Sequence, residues 1–264
     1  MGRPVVVIAG APPWAEAVAA TLDREGFAPA HYEQQANYVS RLATDQAALI
    51  LVDGEASDWR FWVVTPKTSP ATQRVPLAVV SDDARTRQAA LEHGADLALP
   101  AQALLARLPA LLAEHARRPD PAHRAELGAA CADSLPPQAL EAVRLFNAGE
   151  FYRQHDLLEA LWVAERGPVR DLYRGILQVG VAYYHITQGN RQGALKMLLR
   201  SVQWLAPLPD LCQGVDVRGL REDAARVRAA LEVTDPTDMP GFDLSLLRPL
   251  RLVGHDPPAQ AAPR

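Results

Sequence analysis

The stretch Leu49-Ile50-Leu51-Val52-Asp53-Gly54 decides the fold of the first half of the chain. Four consecutive apolar residues that end in Asp-Gly have the length and the boundary of a strand buried on both faces. Apolar runs of the same kind occur on both sides of this stretch, and the run at 28–32 is weak enough to be an edge strand. The runs cover residues 5–8, 28–32, 77–80 and 97–99.

Helical patterns separate these five runs. The clearest of them cover residues 14–24, 38–44, 84–93 and 101–116. The segment 55–74 contains Pro66 and Pro70 and predicts one irregular helix or a loop. Strict alternation of strands and helices is typical of a parallel sheet with helices on both faces. Residues 1–116 are therefore predicted to form an α/β domain with a five-stranded, doubly wound parallel sheet.

The pattern changes after residue 116. Residues 117–136 contain Arg-Arg-Pro-Asp-Pro and predict a linker with a short turn. Residues 137–233 are helical throughout, and residues 234–264 predict an irregular proline-rich tail. Short connections between helices favour antiparallel neighbours, so the second domain is predicted to be an antiparallel helical bundle. Its helices are expected at 137–147, 150–164, 168–188, 191–205 and 217–232.

Charge and composition exclude several classes of protein. The 264 residues carry 27 basic and 31 acidic side chains, spread evenly over both halves, so a nucleic-acid-binding protein with a basic stripe is not expected. No segment approaches the roughly 18 apolar residues of a membrane span, and the start of the chain has no secretory signal. Cys131 and Cys212 are too few for a disulfide framework or a cysteine zinc site. A cytoplasmic protein is the resulting expectation.

The first domain resembles a response-regulator receiver, which has a flavodoxin-like fold. Asp53 ends the third strand and Ser81 ends the fourth, where that family keeps its phosphate-accepting aspartate and a Ser or Thr. Gly94-Ala95 and Pro100 also stand at positions that the family keeps.

Departures from the receiver pattern remove its chemistry. Ala9-Gly10-Ala11 follows the first strand, where the family places acidic residues that hold Mg²⁺, and Leu99 replaces the family's lysine. Phosphoryl transfer to a carboxylate needs such a metal. We therefore favour a degenerate receiver, a pseudo-receiver, in which Asp53 caps the following turn, over one in which Asp53 is a residual phosphorylation site.

A leucine stripe in the helix at 101–116 has two interpretations. It consists of Leu104, Leu105, Leu108, Leu111 and Leu112. The stripe either packs in the core and against the second domain, or it forms the surface of a homodimer, since receivers often pair through this region. The sequence leaves both open.

Polar residues line apolar helices in the second domain. His155 and Glu159 are four residues apart and share one side of a helix. The next helix is mostly apolar, yet one stripe of it carries Arg170, Arg174, Gln178 and His185. A polar stripe in so apolar a helix is expected to be partly buried, and buried polar groups need partners.

Residues 146–194 resemble domain-of-unknown-function family 309, a small all-helical family. The matching residues are Phe146, Asn147, Tyr152, His155, Glu159, Trp162, Arg170, Gln178, Tyr184, His185, Gly189, Asn190, Gly193 and Ala194. Asp156 replaces a common Glu, and Gly149 is shifted by one position. The resemblance implies a helical fold and a shared pocket, but no reaction.

Three roles for the polar residues remain open. In the first, Arg170 and Arg174 grip a carboxylate or phosphate together with Gln178 and Asn190, His155 and His185 add donors, and Trp162 forms a wall. In the second, His155, Glu159 and His185 hold a metal, although the neighbouring arginines oppose a cation. In the third, the residues form a structural network in which Glu159 pairs with Arg174.

These observations favour a non-catalytic regulatory or adaptor protein over an enzyme. The pseudo-receiver is expected to bind a protein partner, and the helical domain a small anionic ligand or a protein. We expect no cofactor, no nucleic acid, no membrane and possible homodimers. The alternative is a metal-dependent hydrolase that uses His155, Glu159 and His185.

Overall fold

The computed structural model describes residues 3–118 and 120–253. They divide into two units, with the boundary between Arg118 and Pro119. The first unit therefore ends two residues beyond the predicted α/β domain. The second begins within the predicted linker.

The first unit contains a five-stranded parallel sheet in the order β2-β1-β3-β4-β5. This order is that of flavodoxin-like doubly wound folds. It confirms the predicted sheet, including the edge position of the weak run at 28–32. The strands are β1 (Val5–Ala9), β2 (Ala28–Tyr32), β3 (Leu49–Asp53), β4 (Leu77–Val80) and β5 (Leu97–Leu99).

Five helices cover both faces of this sheet. Successive strand residues point to opposite faces, so Ile50 and Val52 join one hydrophobic cluster while Leu49 and Leu51 join another. The helices are α1 (Ala15–Arg24), α2 (Tyr38–Thr44), α3 (Trp59–Thr68), α4 (Ala84–Glu92) and α5 (Ala101–His115). The segment 55–74 thus contributes a helix, with Pro66 inside it.

The leucine stripe of α5 serves mainly as core. Leu104, Leu108, Leu111 and Leu112 are buried in the cluster that also contains residues of β1, β3 and β4, and Leu105 is exposed. One exposed leucine is ordinary for a protein surface. The stripe therefore gives the homodimer no support, and that state stays a prediction.

The second unit contains six helices among residues 120–253. The five predicted helices are present, with ends within two residues of their expected positions. The helices are α6 (Pro121–Cys131), α7 (Pro137–Asn147), α8 (Phe151–Ala164), α9 (Arg170–Thr187), α10 (Arg191–Leu205) and α11 (Val217–Val233).

Helix α6 corrects the prediction of a linker at 117–136. Asp120 caps its first turn by accepting a hydrogen bond from the Ala122 N–H, and Pro121 occupies the first helical position, where its missing N–H costs nothing. Leu127 and Cys131 are buried in the core of the second unit. The prolines that suggested a linker instead start a helix.

A disulfide joins Cys131 at the end of α6 to Cys212. Cys212 lies in β6 (Leu211–Cys212), which pairs with β7 (Val215–Asp216) in a short antiparallel hairpin. Neither the disulfide nor the hairpin was expected, because two cysteines 81 residues apart carry no local signal of pairing. Disulfides are more common in oxidising compartments, so the cytoplasmic location stays a prediction.

The segment 234–253 is less irregular than predicted. It contains two 3-10 helices, Pro236–Gly241 and Leu244–Leu246. Asn147 fixes the following stretch, because its side-chain amide donates to the Leu250 carbonyl at 2.9 Å and accepts from the Leu250 N–H at 2.7 Å. The rest of the predicted tail, 254–264, lies outside the described residues.

In the part of the chain that the structure describes, no helix combines the length and the apolar character that crossing a membrane requires.

Candidate functional site

The guanidinium group of Arg174 lies between two tryptophans from different helices. Its central carbon is 4.5 Å from the ring centre of Trp162 on α8 and 3.8 Å from that of Trp204 on α10. Arg170, one turn earlier on α9, lies 5.6 Å from the Trp162 ring. Cation–π contacts of this kind contribute about 0.5–2 kcal/mol each.

Several N–H groups around Arg174 are buried without a partner. Among the residues that the structure describes, the indole N–H groups of Trp162 and Trp204 have no hydrogen-bond acceptor, and the same is true of the Nε–H of Arg200, one turn before Trp204 on α10. Leaving a buried donor unsatisfied costs about 1–3 kcal/mol. Three such donors in one region indicate a place where an acceptor belongs. We call Trp162, Arg174, Gln178, Arg200 and Trp204 the indole–arginine cluster.

Gln178 adds an acceptor to this cluster. It lies one turn after Arg174 on α9, is 8% exposed, and its side-chain oxygen has no hydrogen-bond partner. The cluster thus combines unsatisfied donors on α8 and α10 with an unsatisfied acceptor on α9. The arrangement suits a small molecule that offers oxygen lone pairs and at least one hydrogen.

The surroundings of the cluster favour an anion. Among the described residues, no carboxylate oxygen lies within 4.0 Å of a side-chain nitrogen of Arg170 or Arg200. Asp171 interacts with Arg170 and Arg174, and burial raises its pKa while the two arginines lower it. Arg170, Arg174 and Arg200 bring three positive charges to this region.

A second buried polar group lies further along the contact between α8 and α9. Gln154 is completely buried, and neither its side-chain oxygen nor its nitrogen has a partner. A Cβ placed on Gly180 would collide with this oxygen, so a larger residue there would require the glutamine side chain to move. The hydroxyl of Tyr183 is also buried and unpartnered. Gln154 was not predicted as a site residue, because no pattern in the sequence singles it out.

Four predicted site residues come together. Trp162, Arg170 and Arg174 are in ring contact, and Gln178 follows on the same stripe of α9. The structure supports the predicted stripe over these two turns.

Two other predicted residues lie elsewhere on the unit. His185 is eleven residues beyond Arg174, about 16 Å along α9. Its ring nitrogen Nδ1 is 3.2 Å from the side-chain nitrogen of Asn190. Asn190 is exposed and caps α10 by accepting from the Gly193 N–H, and its expected role in gripping an anion with the arginines stays a prediction.

The proposed metal ligands do not assemble. His155 is half-buried with Nδ1 3.2 Å from an oxygen of its neighbour Asp156, and Glu159 is exposed. No group of three His, Cys, Asp or Glu residues within 3–118 and 120–253 is arranged to hold a metal ion. His155, Glu159 and His185 therefore provide no metal centre here. Glu159 is exposed, and the structural network centred on a Glu159–Arg174 pair stays a prediction.

Arg200 and Trp204 were missed at the sequence level. The segment 191–205 carried a usable signal, because Met197, Arg200 and Trp204 recur at helical spacing on one side of α10. That stripe faces α9, where the Trp204 ring contacts Arg174. An arginine and a tryptophan four residues apart opposite a polar stripe would have predicted the second wall of the cluster.

In the first unit, the carboxyl ends of β3 and β4 hold a closed hydrogen-bond network. An oxygen of Asp53 accepts from the Glu55 N–H at 3.0 Å, and burial raises the pKa of this aspartate. The Ser81 hydroxyl donates to the Glu55 carboxylate at 2.7 Å, and the Asp82 N–H donates to the same oxygen at 2.8 Å. Asp53 therefore caps the turn after β3, as predicted, and Ser81 is engaged with Glu55.

Comparison with known proteins supports the assignment of the helical unit. Residues 139–197 match the family described as "Domain of unknown function (DUF309)", which confirms the resemblance to family 309. An uncharacterized protein of Aquifex aeolicus (strain VF5) is 26% identical over 100 residues, which are 38% of this chain. The chain spans 30% of the length of that relative.

Proposed function

We propose that this chain is a non-catalytic regulatory or adaptor protein whose helical unit binds a small anion at the indole–arginine cluster. The observation that carries the proposal is the set of three buried N–H donors without an acceptor, on Trp162, Trp204 and Arg200. An oxyanion offers acceptors to all three, and the stacked Arg174 supplies a fixed positive charge beside them. No arrangement of residues in the cluster supplies a nucleophile or a general base.

Thermal unfolding tests the anion site. Phosphate, sulfate and acetate are added to the full chain, each against sodium chloride of equal ionic strength, and at least one should raise the melting temperature. Trp204→Phe keeps a ring against Arg174 but removes one donor. It should therefore weaken the binding of the anion that stabilises wild type about tenfold. Trp59→Phe is the matched control, because Trp59 also stacks on an arginine but lies in the first unit.

The anion proposal fails if none of these salts exceeds its chloride control. It also fails if Trp204→Phe and Trp59→Phe respond identically to every anion. Either result would leave the unpartnered donors as a structural cost that the fold tolerates.

We propose further that the first unit is a pseudo-receiver that contacts a protein partner and accepts no phosphoryl group. The support is the hydrogen-bond network at the carboxyl ends of β3 and β4, in which Asp53 and Ser81 are both engaged with Glu55. The sequence Ala9-Gly10-Ala11 after β1 adds to it. Acetyl phosphate with Mg²⁺ should leave the mass of the protein unchanged. A phosphorylated species that Asp53→Asn removes would contradict this part of the proposal.

The helices of the second unit are proposed to form an antiparallel bundle. Close approaches between α9 and α10 support this for one pair. A Cβ on Gly175 would lie 2.4 Å from Leu205, and a Cβ on Gly193 would lie 2.9 Å from His185, so the early part of each helix meets the late part of the other.

A further inference from the structure

The position of Gln178 relative to Arg200 narrows the class of anion that the indole–arginine cluster would bind. Gly175 approaches Leu205, and Arg174 contacts Trp204, so the register between α9 and α10 is known at one end. One turn further along α9 is Gln178, and one turn back along α10 is Arg200. The opposite directions of the two helices therefore place Gln178 and Arg200 at the same level.

These two side chains are complementary but are not bonded to each other. The side-chain oxygen of Gln178 is a buried acceptor without a donor, and the Nε–H of Arg200 is a buried donor without an acceptor. A direct hydrogen bond between the two side chains would satisfy both groups, and the structure does not contain one. A ligand placed between them would accept from Arg200 and donate to Gln178.

Resting on the proposed anion site, we infer that its ligand is a small hydroxy acid, with a hydroxyl group next to its carboxylate. The carboxylate accepts from Arg200 and from the indole N–H groups of Trp162 and Trp204. The hydroxyl donates to the oxygen of Gln178. A simple carboxylate has no hydrogen for that oxygen and leaves it buried and unsatisfied.

The charges of the region exclude an amino acid as the preferred ligand. An ammonium group would also donate to Gln178, but it would lie among Arg170, Arg174 and Arg200, whose positive charges repel another cation. A neutral hydroxyl donates without adding a fourth positive charge.

Pairs of acids with nearly equal shape test the inference on the wild-type protein. Glycolate and propionate differ by a hydroxyl in place of a methyl, as do lactate and isobutyrate. Titration calorimetry of the full chain should show each hydroxy acid binding about tenfold more tightly than its partner, because the partner leaves Gln178 unsatisfied.

The variant Gln178→Met locates the effect. It keeps the length of the side chain and removes the acceptor, so glycolate and propionate should then bind within about twofold of each other. If the variant fails to fold, which its melting curve would reveal, the wild-type comparison still decides.

The outcomes separate the two proposals. Equal binding of glycolate and propionate to wild type overturns the hydroxy acid but leaves the anion site standing. A preference for glycolate that survives in Gln178→Met also overturns it, because the hydroxyl is then recognised elsewhere. If none of the four acids binds, while phosphate or sulfate still stabilises the protein, the inferred ligand class is wrong. If no anion has any effect, the proposed anion site itself is wrong.

Discussion

At the scale of single residues, two buried glutamines of the helical unit have opposite environments. Gln154 has neither a donor nor an acceptor for its amide. Gln213 is equally buried, but its oxygen accepts from the Tyr173 hydroxyl at 2.9 Å and its nitrogen donates to the Ala130 carbonyl at 3.5 Å. The difference lies in the partners, not in the side chain.

The same substitution should therefore have opposite effects at these two positions. Gln154→Met removes an unsatisfied amide at nearly constant volume and should raise the free energy of unfolding by about 1–2 kcal/mol. Gln213→Met leaves the Tyr173 hydroxyl without its acceptor and should lower the free energy of unfolding by about 1–3 kcal/mol. Urea denaturation of both variants measures the difference. A loss at position 154 would show that an ordered water or a ligand satisfies the amide.

Asp53 gives a prediction about pH. Burial raises the pKa of its carboxyl, so folding favours the protonated form, and the stability that this supplies is lost as the pH rises through the folded-state pKa. Asp53→Asn does not ionise and keeps an oxygen for the Glu55 N–H. The variant should be more stable than wild type at pH 7, and the advantage should shrink as the pH approaches the ordinary value of about 3.9.

Asp83 is a control for this prediction, because its pKa is shifted in the opposite direction to that of Asp53. A hydrogen bond from the Thr86 hydroxyl lowers its pKa, so its ionised form stabilises the fold, and this contribution is lost as the pH falls through the lowered value. Asp83→Asn should lose stability relative to wild type near neutral pH. Denaturant titrations of both variants at pH 7 and pH 4 would contradict the argument if the two differences had the same sign.

At the scale of elements, the sequence predicts what is encoded locally. The helices α8 and α10 were placed well because Gly149 and Gly189, both with positive φ in the structure, end the preceding helices. Helix α6 was missed because Pro121 marks both a linker and the first turn of a helix. In the candidate site, the polar stripe of α9 was found from its spacing. Its opposite wall on α10 was not, since the pairing of two helices depends on tertiary packing.

The disulfide between α6 and β6 gives the prediction for an element. It closes a loop across 81 residues of sequence, and constraining the unfolded chain to that extent contributes about 4 kcal/mol. The double substitution Cys131→Ala with Cys212→Ala should lower the free energy of unfolding by about that amount. Wild type denatured under a reductant should match the variant. If the reductant has no effect on wild type, the two sulfurs are not bonded in solution.

At the scale of the whole molecule, each unit has a hydrophobic core of its own. The cluster of the helical unit draws only on residues between Leu127 and Leu252, and the two clusters of the first unit only on residues up to Ala116. The indole–arginine cluster lies wholly within residues 162–204. Folding of the helical unit and its proposed anion binding should therefore not require the first unit.

Separating the chain between Arg118 and Pro119 tests this independence. The fragment 119–264 should unfold in one cooperative transition, because its buried core, its disulfide and the Asn147 contact to Leu250 are all retained. Anions that stabilise the full chain should raise the melting temperature of the fragment by a similar amount, as measured by differential scanning calorimetry. A folded fragment that no longer responds to those anions would mean that the first unit supplies part of the site, and the cluster alone would then be insufficient.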